Sequence, residues 1–565
     1  MSNETTEILE DFSGGLNTRF APNRIKKGQT PTSTNCWYDV GALSKRNGAT
    51  IDTTTARLVA SDFVAYRGIQ IRRFVNAATD ALIIHSNIGQ SRYVLVYTNN
   101  ASTYFVAPRF ATVGSVTTSI GSATVTGSGT TFLAGRAGDL LYVESTNEYL
   151  IIQSVTNDIE LVTTTTATAN AAGASYQVIP SWASTSRLSF VEMNSSLWIC
   201  GRGSVSGQFT GGTAVAAADA FPQASYSIVY ANYVFAASTT DNPSRVRWCN
   251  LKDPTTWPAS NFIDVNPDDG FPIVGMFLDG QSIVVLKTNS AYKITGEIFD
   301  PANPTYTLQQ IFVPSDFLIN GPGSVQIVNG KYLMLGQKGF YAYTGGSTIQ
   351  FVEESNEIKN QFTTIAGYSL ASAASPTVEP YSAMVDGKYW LSVEDSQFSH
   401  TTGFKNVVWV IDEEGTFWRW NQGTNAQVSG FAYRTGTLYG VNADTGGTAG
   451  LQTLNTGTVD TGSTAINGTW TSKIFEYPNQ QQFLVANVFY KKQGSGNLTF
   501  EWSIDEGSFS SATIDMTAGS GTRVKSPNVT LGTAGSTIQF RLSNATASQT
   551  FEVYGIQWIR RPLKQ

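Results

Sequence analysis

The chain has 565 residues, with 36 Lys+Arg against 42 Asp+Glu, a net charge of −6 and 14 % charged residues, where an ordinary domain has roughly 25 %. Hydrophobic residues at 41 % and aromatics at 12 % exclude an intrinsically disordered chain, and 52 glycines without a G-X-Y period exclude collagen. The acidic balance argues against a protein that holds nucleic acid by neutralising phosphates, and the Thr, Ser, Gly, Val and Tyr content points to an all-β fold.

In chain order, the start MSNETTEILED is acidic and lacks the basic and apolar regions of a secretory signal. No apolar run approaches the ~20 residues of a membrane helix, so no membrane span is expected. Residues 1–55 read as an extended arm. Gly14-Gly15, Pro22 and Gly28 bend it sharply, and Phe12, Leu16, Phe20, Trp37 and Tyr38 are spaced apolar anchors along it. Such an arm either crosses onto a neighbouring subunit or packs on its own chain.

From there the signal is a repeat of turns. Asp279-Gly280, Asn329-Gly330 and Asp386-Gly387 are two-residue hairpin signatures, with similar chemistry at Asn194-Ser195, Asn232 and Thr435-Gly436. VNGKYLML from Val328 and VDGKYWLS from Val385 are nearly one word. Spacings of roughly 40–50 residues between short strands signal a β-propeller. A second turn follows in the patterns Leu286-Ser290-Tyr292, Leu335-Gly339-Tyr341 and Ile411-Gly415-Phe417. IVVLK (283–287) and VVWVI (407–411) are apolar on both faces, as strands stacked between neighbouring sheets are. Residues 56–109 and 181–460 are therefore assigned to one propeller of six to eight blades. The Thr- and Gly-rich stretch 110–180 is read as a small inserted β-barrel, and 466–565, with about seven alternating strands, as a C-terminal β-sandwich.

Little in the chain offers chemistry. Cys36, Cys200 and Cys249 form no C-x-x-C pair and read as reduced thiols of a protein made in cytosol. There are two histidines, and His85 lies in an apolar strand; H-E-x-x-H, G-x-S-x-G and Walker A sequences are absent. DVNPDDG (264–270) begins like a calcium loop with Asp264, Asn266 and Asp268. It has Asp269 where the sharp turn needs Gly and Gly275 where a bidentate Glu belongs, so an EF-hand is rejected. Glu353-Glu354, Asp412 to Glu414 and Asp505-Glu506 are the carboxylates available for glycoside hydrolysis, and all read as solvated turns. The expectation is no enzyme, no catalytic residue, no cofactor and no metal.

The arm DFSGGLNTRFAPNRIKKGQTPTSTNCWYDVGALSKRNG, running from Asp11, resembles the N-terminal arm of tail and head–tail connector proteins of tailed phages. Gly14, Gly15, Leu16, Asn17, Pro22, Gly28, Gln29, Asn35, Gly41, Leu43, Arg46 and Gly48 stand at the matching places. RVRWCNLKDPTTW, from Arg245 to Trp257, with DGFPIVGM, IVVLKTNSAYKITGE and GKYLMLGQKGFYAYTGG, is similar to the propeller of tail nozzle and packaged-DNA stabilisation proteins. The resemblance implies a virion protein assembled in host cytoplasm. It implies a closed ring of six copies that contacts adjacent tail, adaptor or portal-side proteins and tail fibres, and that passes double-stranded DNA as a passive conduit. Phe12, Gly14, Gly15, Leu16, Asn17, Phe20, Trp37 and Tyr38 are the assembly residues this reading nominates. The alternative is a host-surface carbohydrate-binding or depolymerising tail protein.

Overall fold

Asx-Gly and related pairs close the first hairpin of six successive sheets. Asn194-Ser195, Ala231-Asn232, Asn329-Gly330, Asp386-Gly387 and Thr435-Gly436 all have positive φ at both positions, between 48° and 77°. That is the type I′ geometry whose twist matches the flanking strands. Asp279-Gly280 differs from its expected role. Asp279 is the last strand residue, paired with Ser282, so the loop is Gly280-Gln281 with Gly280 first at φ 55°.

The computed structural model describes residues 4–563. Excepted are segments 52–55, 58–66, 88–91, 100–102, 184–186, 298–304, 363–378, 396–404, 422–427, 443–450 and 461–463, and positions 40, 48, 78, 213, 320 and 413–414. The fold is nearly all-β, 57 % strand with 4 % helix. Among the described residues, seven largely antiparallel sheets follow one another between residues 56 and 454, apart from the inserted 115–179 sheet, and five of them are four-stranded. Each shares an apolar cluster with the next. Phe74 and Leu95 of the first sheet meet Leu197 and Phe209 of the second. Trp198 of the second lies with Phe235 of the third and Ile283 of the fourth. Val284 and Tyr341 join the fourth to the fifth, and Phe340 and Trp409 the fifth to the sixth. Trp390 and Phe431 join the sixth to the seventh. Val441 and Leu451 of the seventh then pack on Ile71 and Leu82 of the first, which closes the propeller. The strands Ser282–Lys287 and Val407–Ile411 are buried along their whole length, as faces covered on both sides require.

One local expectation shifts. Residues 67–106 supply one sheet, as one of the two counts open to this stretch allowed, and its first hairpin has a longer loop between Val75 and Asp80 and so lacks the two-residue signature. Ile411-Gly415-Phe417 closes the third hairpin of its sheet, because residues 394–406 separate the second strand from the third.

After Thr103–Val106 the chain leaves the first sheet, forms a nearly closed seven-stranded barrel-like sheet over 115–179, and returns as Trp182–Ala183 paired with Arg92–Asn99. The barrel packs around Val125, Leu141, Val143 and Val178. At its root Arg109 and Asp139 form a doubly hydrogen-bonded pair, both about 2 % exposed.

The C-terminal sandwich is a twelve-stranded hydrogen-bonded network built on Phe475–Tyr490, Ala534–Asn544 and Glu552–Pro562. Four of its strands come from the first 45 residues: Thr5–Leu9, Thr32–Thr34, Cys36–Asp39 and Ala42–Lys45. The next one, Ala49–Ile51, pairs with Leu451–Leu454 and widens the seventh propeller sheet. One apolar cluster therefore runs from Trp502, Phe540 and Trp558 of the sandwich through Leu9, Phe12 and Trp37 to Trp390 and Trp420 of the propeller. Among the described residues no helix is long and apolar enough to cross a membrane.

Candidate functional site

The arm joins the sandwich to the propeller through close backbone packing. Gly14 packs so closely that a Cβ there would come 2.8 Å from the Gln29 backbone nitrogen, and at Gly15 (φ 64°) a Cβ would lie 2.9 Å from Thr416 Cβ. The Leu16 N–H donates to the Phe417 carbonyl at 3.0 Å, stitching the arm to the outer strand of the sixth sheet. Asn17 Nδ2 donates to Gln29 Oε1 at 2.9 Å, and Gln29 Nε2 donates to Glu357 Oε1 at 2.8 Å. Phe12 sets its edge on Trp470 at 4.9 Å, Trp37 lies 4.9 Å from Trp420, and Tyr38 packs half-buried on the same cluster. Phe20 alone of the nominated residues stays exposed, at 47 %. Of the two courses open to the arm, Phe12, Leu16 and Trp37 take the packing on their own chain. Their apolar surface is buried on the chain's own propeller and sandwich.

The polar members of the motif complete the junction. Asn35 takes φ 56°, and its side chain accepts from Arg46 Nε at 2.8 Å. The Arg46 guanidinium then forks onto both oxygens of Asp460 with the pair 1–2 % exposed, and lies over the Trp420 ring. Pairing and hydrogen bonding of this kind offset the cost of burying the two charges. Lys45 is also buried. Its ammonium donates to Asn544 Oδ1 at 2.8 Å and to the Gln549 carbonyl at 2.9 Å, and desolvation lowers its pKa to about 8.

The acidic loop 264–270 holds a cation of the protein's own. Lys287 Nζ, fully buried, donates to the carbonyls of Val265 (2.9 Å) and Asn266 (2.7 Å), to Ser244 Oγ (3.2 Å) and to Asp269 Oδ1 (2.6 Å). Asp264 is turned to Arg245 in a bidentate pair at 2.7 and 2.8 Å. The ammonium sits amid the oxygens that a metal would have used. The spacing in the sequence was that of a ligand set, but its cation comes from a strand 20 residues on.

Of the carboxylates, Asp505 accepts the Ser536 and Thr537 amides and serves a sandwich turn, and Glu414 lies outside the described residues. Glu353, Glu354 and Asp412 come together, which their sequence separation did not reveal. They line one pocket of about 380 Å³ between the fifth and sixth sheets, floored by Phe340, Phe351 and Phe417. Asp412 is held by the Thr416 amide at 2.9 Å and the Trp418 indole at 3.2 Å; Glu353 accepts from Asn356 at 2.8 Å. His400 and the side chain of His85 lie outside the described residues. The three cysteines are buried, and burial raises the pKa of each thiol, that of Cys200 to about 11.

A second cavity, of about 250 Å³, lies where the first strands of six sheets converge. Its wall carries Arg72, Arg187, Tyr226, Tyr381 and Gln70. Arg187 pairs with Glu379 and lies over the Tyr226 ring at 4.7 Å; Arg72 donates to the Phe190 carbonyl at 2.8 Å and meets Glu192 at 3.2 Å. Behind them Lys405, 1 % exposed, donates to the Glu379 carbonyl at 3.0 Å. Desolvation lowers its pKa to about 7, partly countered by Glu379. Burial likewise pushes Tyr226 up to about 12.

No family model matches the chain, and no curated protein does. Solved structures do match. Yeast (Saccharomyces cerevisiae) Sqt1 is 9 % identical over 75 % of this chain and 98 % of its own, with a TM-score of 0.34. The exo-β-1,3-galactanase of Phanerochaete chrysosporium is 11 % identical over 66 % of this chain and 95 % of its own, with a TM-score of 0.25. A structure named only as a glycoside hydrolase is 8 % identical over 88 % of this chain and 100 % of its own, with a TM-score of 0.23. The expectation that the chain is no enzyme is corrected here, because structures named as carbohydrate hydrolases stand among its matches.

Proposed function

We propose that this chain is a structural protein of a phage tail, one subunit of a ring through which DNA passes. The observation that supports it is the junction. Gly14, Gly15, Leu16, Asn17, Gln29, Asn35, Leu43 and Arg46, which carry the resemblance to tail and connector arms, build the joint between sandwich and propeller. A joint with buried charge pairs and a shared aromatic core suits a subunit that bears load without changing shape. Closed cyclic symmetry lets such subunits assemble without forming an open filament. Light scattering of the purified protein, with images of the intact particle, tests this reading. Rings of one fixed copy number located at the tail are expected. A monomer at every concentration that is absent from particles would overturn it.

The second reading, a tail protein that binds or depolymerises host-surface carbohydrate, is favoured by the pocket where Glu353, Glu354 and Asp412 meet over an aromatic floor. Two carboxylates facing one cleft are the groups that glycoside hydrolysis uses. Incubation with surface polysaccharides, reading reducing ends, tests it. Activity lost in Glu353→Gln, Glu354→Gln or Asp412→Asn protein of unchanged melting temperature is expected. Activity that none of the three variants reduces would exclude this pocket.

A further inference from the structure

The cavity on the propeller axis gathers arginines in an acidic chain. With a net charge of −6 overall, the chain places Arg72 and Arg187 on this wall, each paired with a carboxylate, Glu192 and Glu379, and holds Lys405 in the layer behind. Arg187 spends Nη1 on Glu379 and stacks on Tyr226, leaving donors of a guanidinium that has five. Burial of Lys405 against a backbone carbonyl has an electrostatic cost that an anion in the cavity would relieve.

We propose that this cavity binds a sugar ring bearing a carboxylate. The arginines are the groups that recognise a planar carboxylate through paired N–H donors. Tyr226 and Tyr381 put aromatic side chains, and Gln70 an amide, on the same wall. A volume of about 250 Å³ falls just below the range of roughly 300–1,000 Å³ for drug-sized ligands, so it suits one ring rather than a chain segment. The site lies apart from the pocket of Glu353, Glu354 and Asp412. The inference extends the carbohydrate reading to a substrate class and does not depend on the ring.

The test is binding of glucuronate and galacturonate to the full chain, by calorimetry or saturation-transfer NMR, with galactose and inorganic phosphate as comparisons. Uronates are expected to bind at least tenfold more tightly than galactose. Arg72→Gln, at a half-exposed position, should weaken uronate binding about tenfold with an unchanged melting temperature, and Gln70→Ala should weaken it less. Equal binding of galactose and galacturonate would overturn the carboxylate assignment while leaving the carbohydrate reading standing. Phosphate binding as tightly as uronate, with no effect of Gln70→Ala, would show an anion site without sugar recognition and overturn the proposal. No uronate binding at millimolar concentration would do the same, and polysaccharide cleavage at the other pocket would still be free to stand.

Discussion

The propeller and the C-terminal sandwich use the same short strands but close in opposite ways. Each of the second to sixth propeller sheets is one stretch of chain, folded by hairpins whose partners lie a few residues apart. The sandwich pairs Thr5 with Arg560 and Thr32 with Thr471, so a third of its strands arrive from the other end of the sequence. Local hairpins are specified by local residues. A sheet assembled across 500 residues has to be specified by a junction, and the first 50 residues are that junction. The seventh sheet stands between the two cases, since it takes Ala49–Ile51 beside its own strands.

Deleting residues 1–50 should break this contrast most severely. It removes four strands from the sandwich and one from the seventh sheet, and it uncovers Trp470 and Trp420. Loss of a cooperative melting transition is expected, with proteolysis cutting the sandwich while the middle sheets persist longer. A truncated chain that melts like the full one would mean that the arm serves assembly and not folding.

Next in size is the buried pair inside the junction. Arg46→Met should cost about 3–5 kcal/mol, because Asp460 is left buried without its partner. Adding Asp460→Leu should restore part of that loss, a coupling that urea unfolding of the single and double variants measures. Independent, additive losses would show that the pair does not hold the two domains together.

The axial cluster should show in pH. The Lys405 pKa is lowered to about 7 by burial, against 10.5 for an ordinary lysine. Between those values the unfolded chain holds a proton that the folded chain lacks, so stability rises with pH across that window. The slope is at most about 1.4 kcal/mol per pH unit for one lysine. Below pH 7 both states are protonated and this contribution is flat. Lys405→Met should reduce the slope between pH 7 and 9 in urea titrations; an unchanged slope would assign it to other groups, such as Lys45.

The smallest effects belong to the hairpins. Asn329→Ala or Asp386→Ala forces a residue without a helpful side chain into positive φ and should cost about 1 kcal/mol each. Equal losses in the two turns are expected, because the two turns share one geometry. A loss several times larger at one of them would mark it as part of a binding surface.

These cases also show how far the sequence could be read. Asn329-Gly330 and Asp386-Gly387 announced their turns because positive φ restricts the residues that fit. Lys287 could not be seen as the occupant of the 264–270 loop, since nothing local couples an acidic turn to a lysine on the next sheet. Glu353 and Asp412 looked like separate solvated turns for the same reason. They share a pocket because the fifth and sixth sheets stack, and stacking is decided by apolar residues such as Phe340 and Trp409 rather than by the carboxylates.

By itself, the sequence determined the all-β class, the hairpins and the repeat that makes a propeller, because turn geometry and strand alternation are short-range constraints written in neighbouring residues. The tertiary structure alone decided that Phe12 and Trp37 of the arm are buried at home and that a lysine fills the acidic loop. It also decided that three distant carboxylates face one pocket and that cations gather on the axis of an acidic chain. Those outcomes depend on which surfaces the closing of the ring and the joining of the two termini bring together, and no short stretch of residues encodes that.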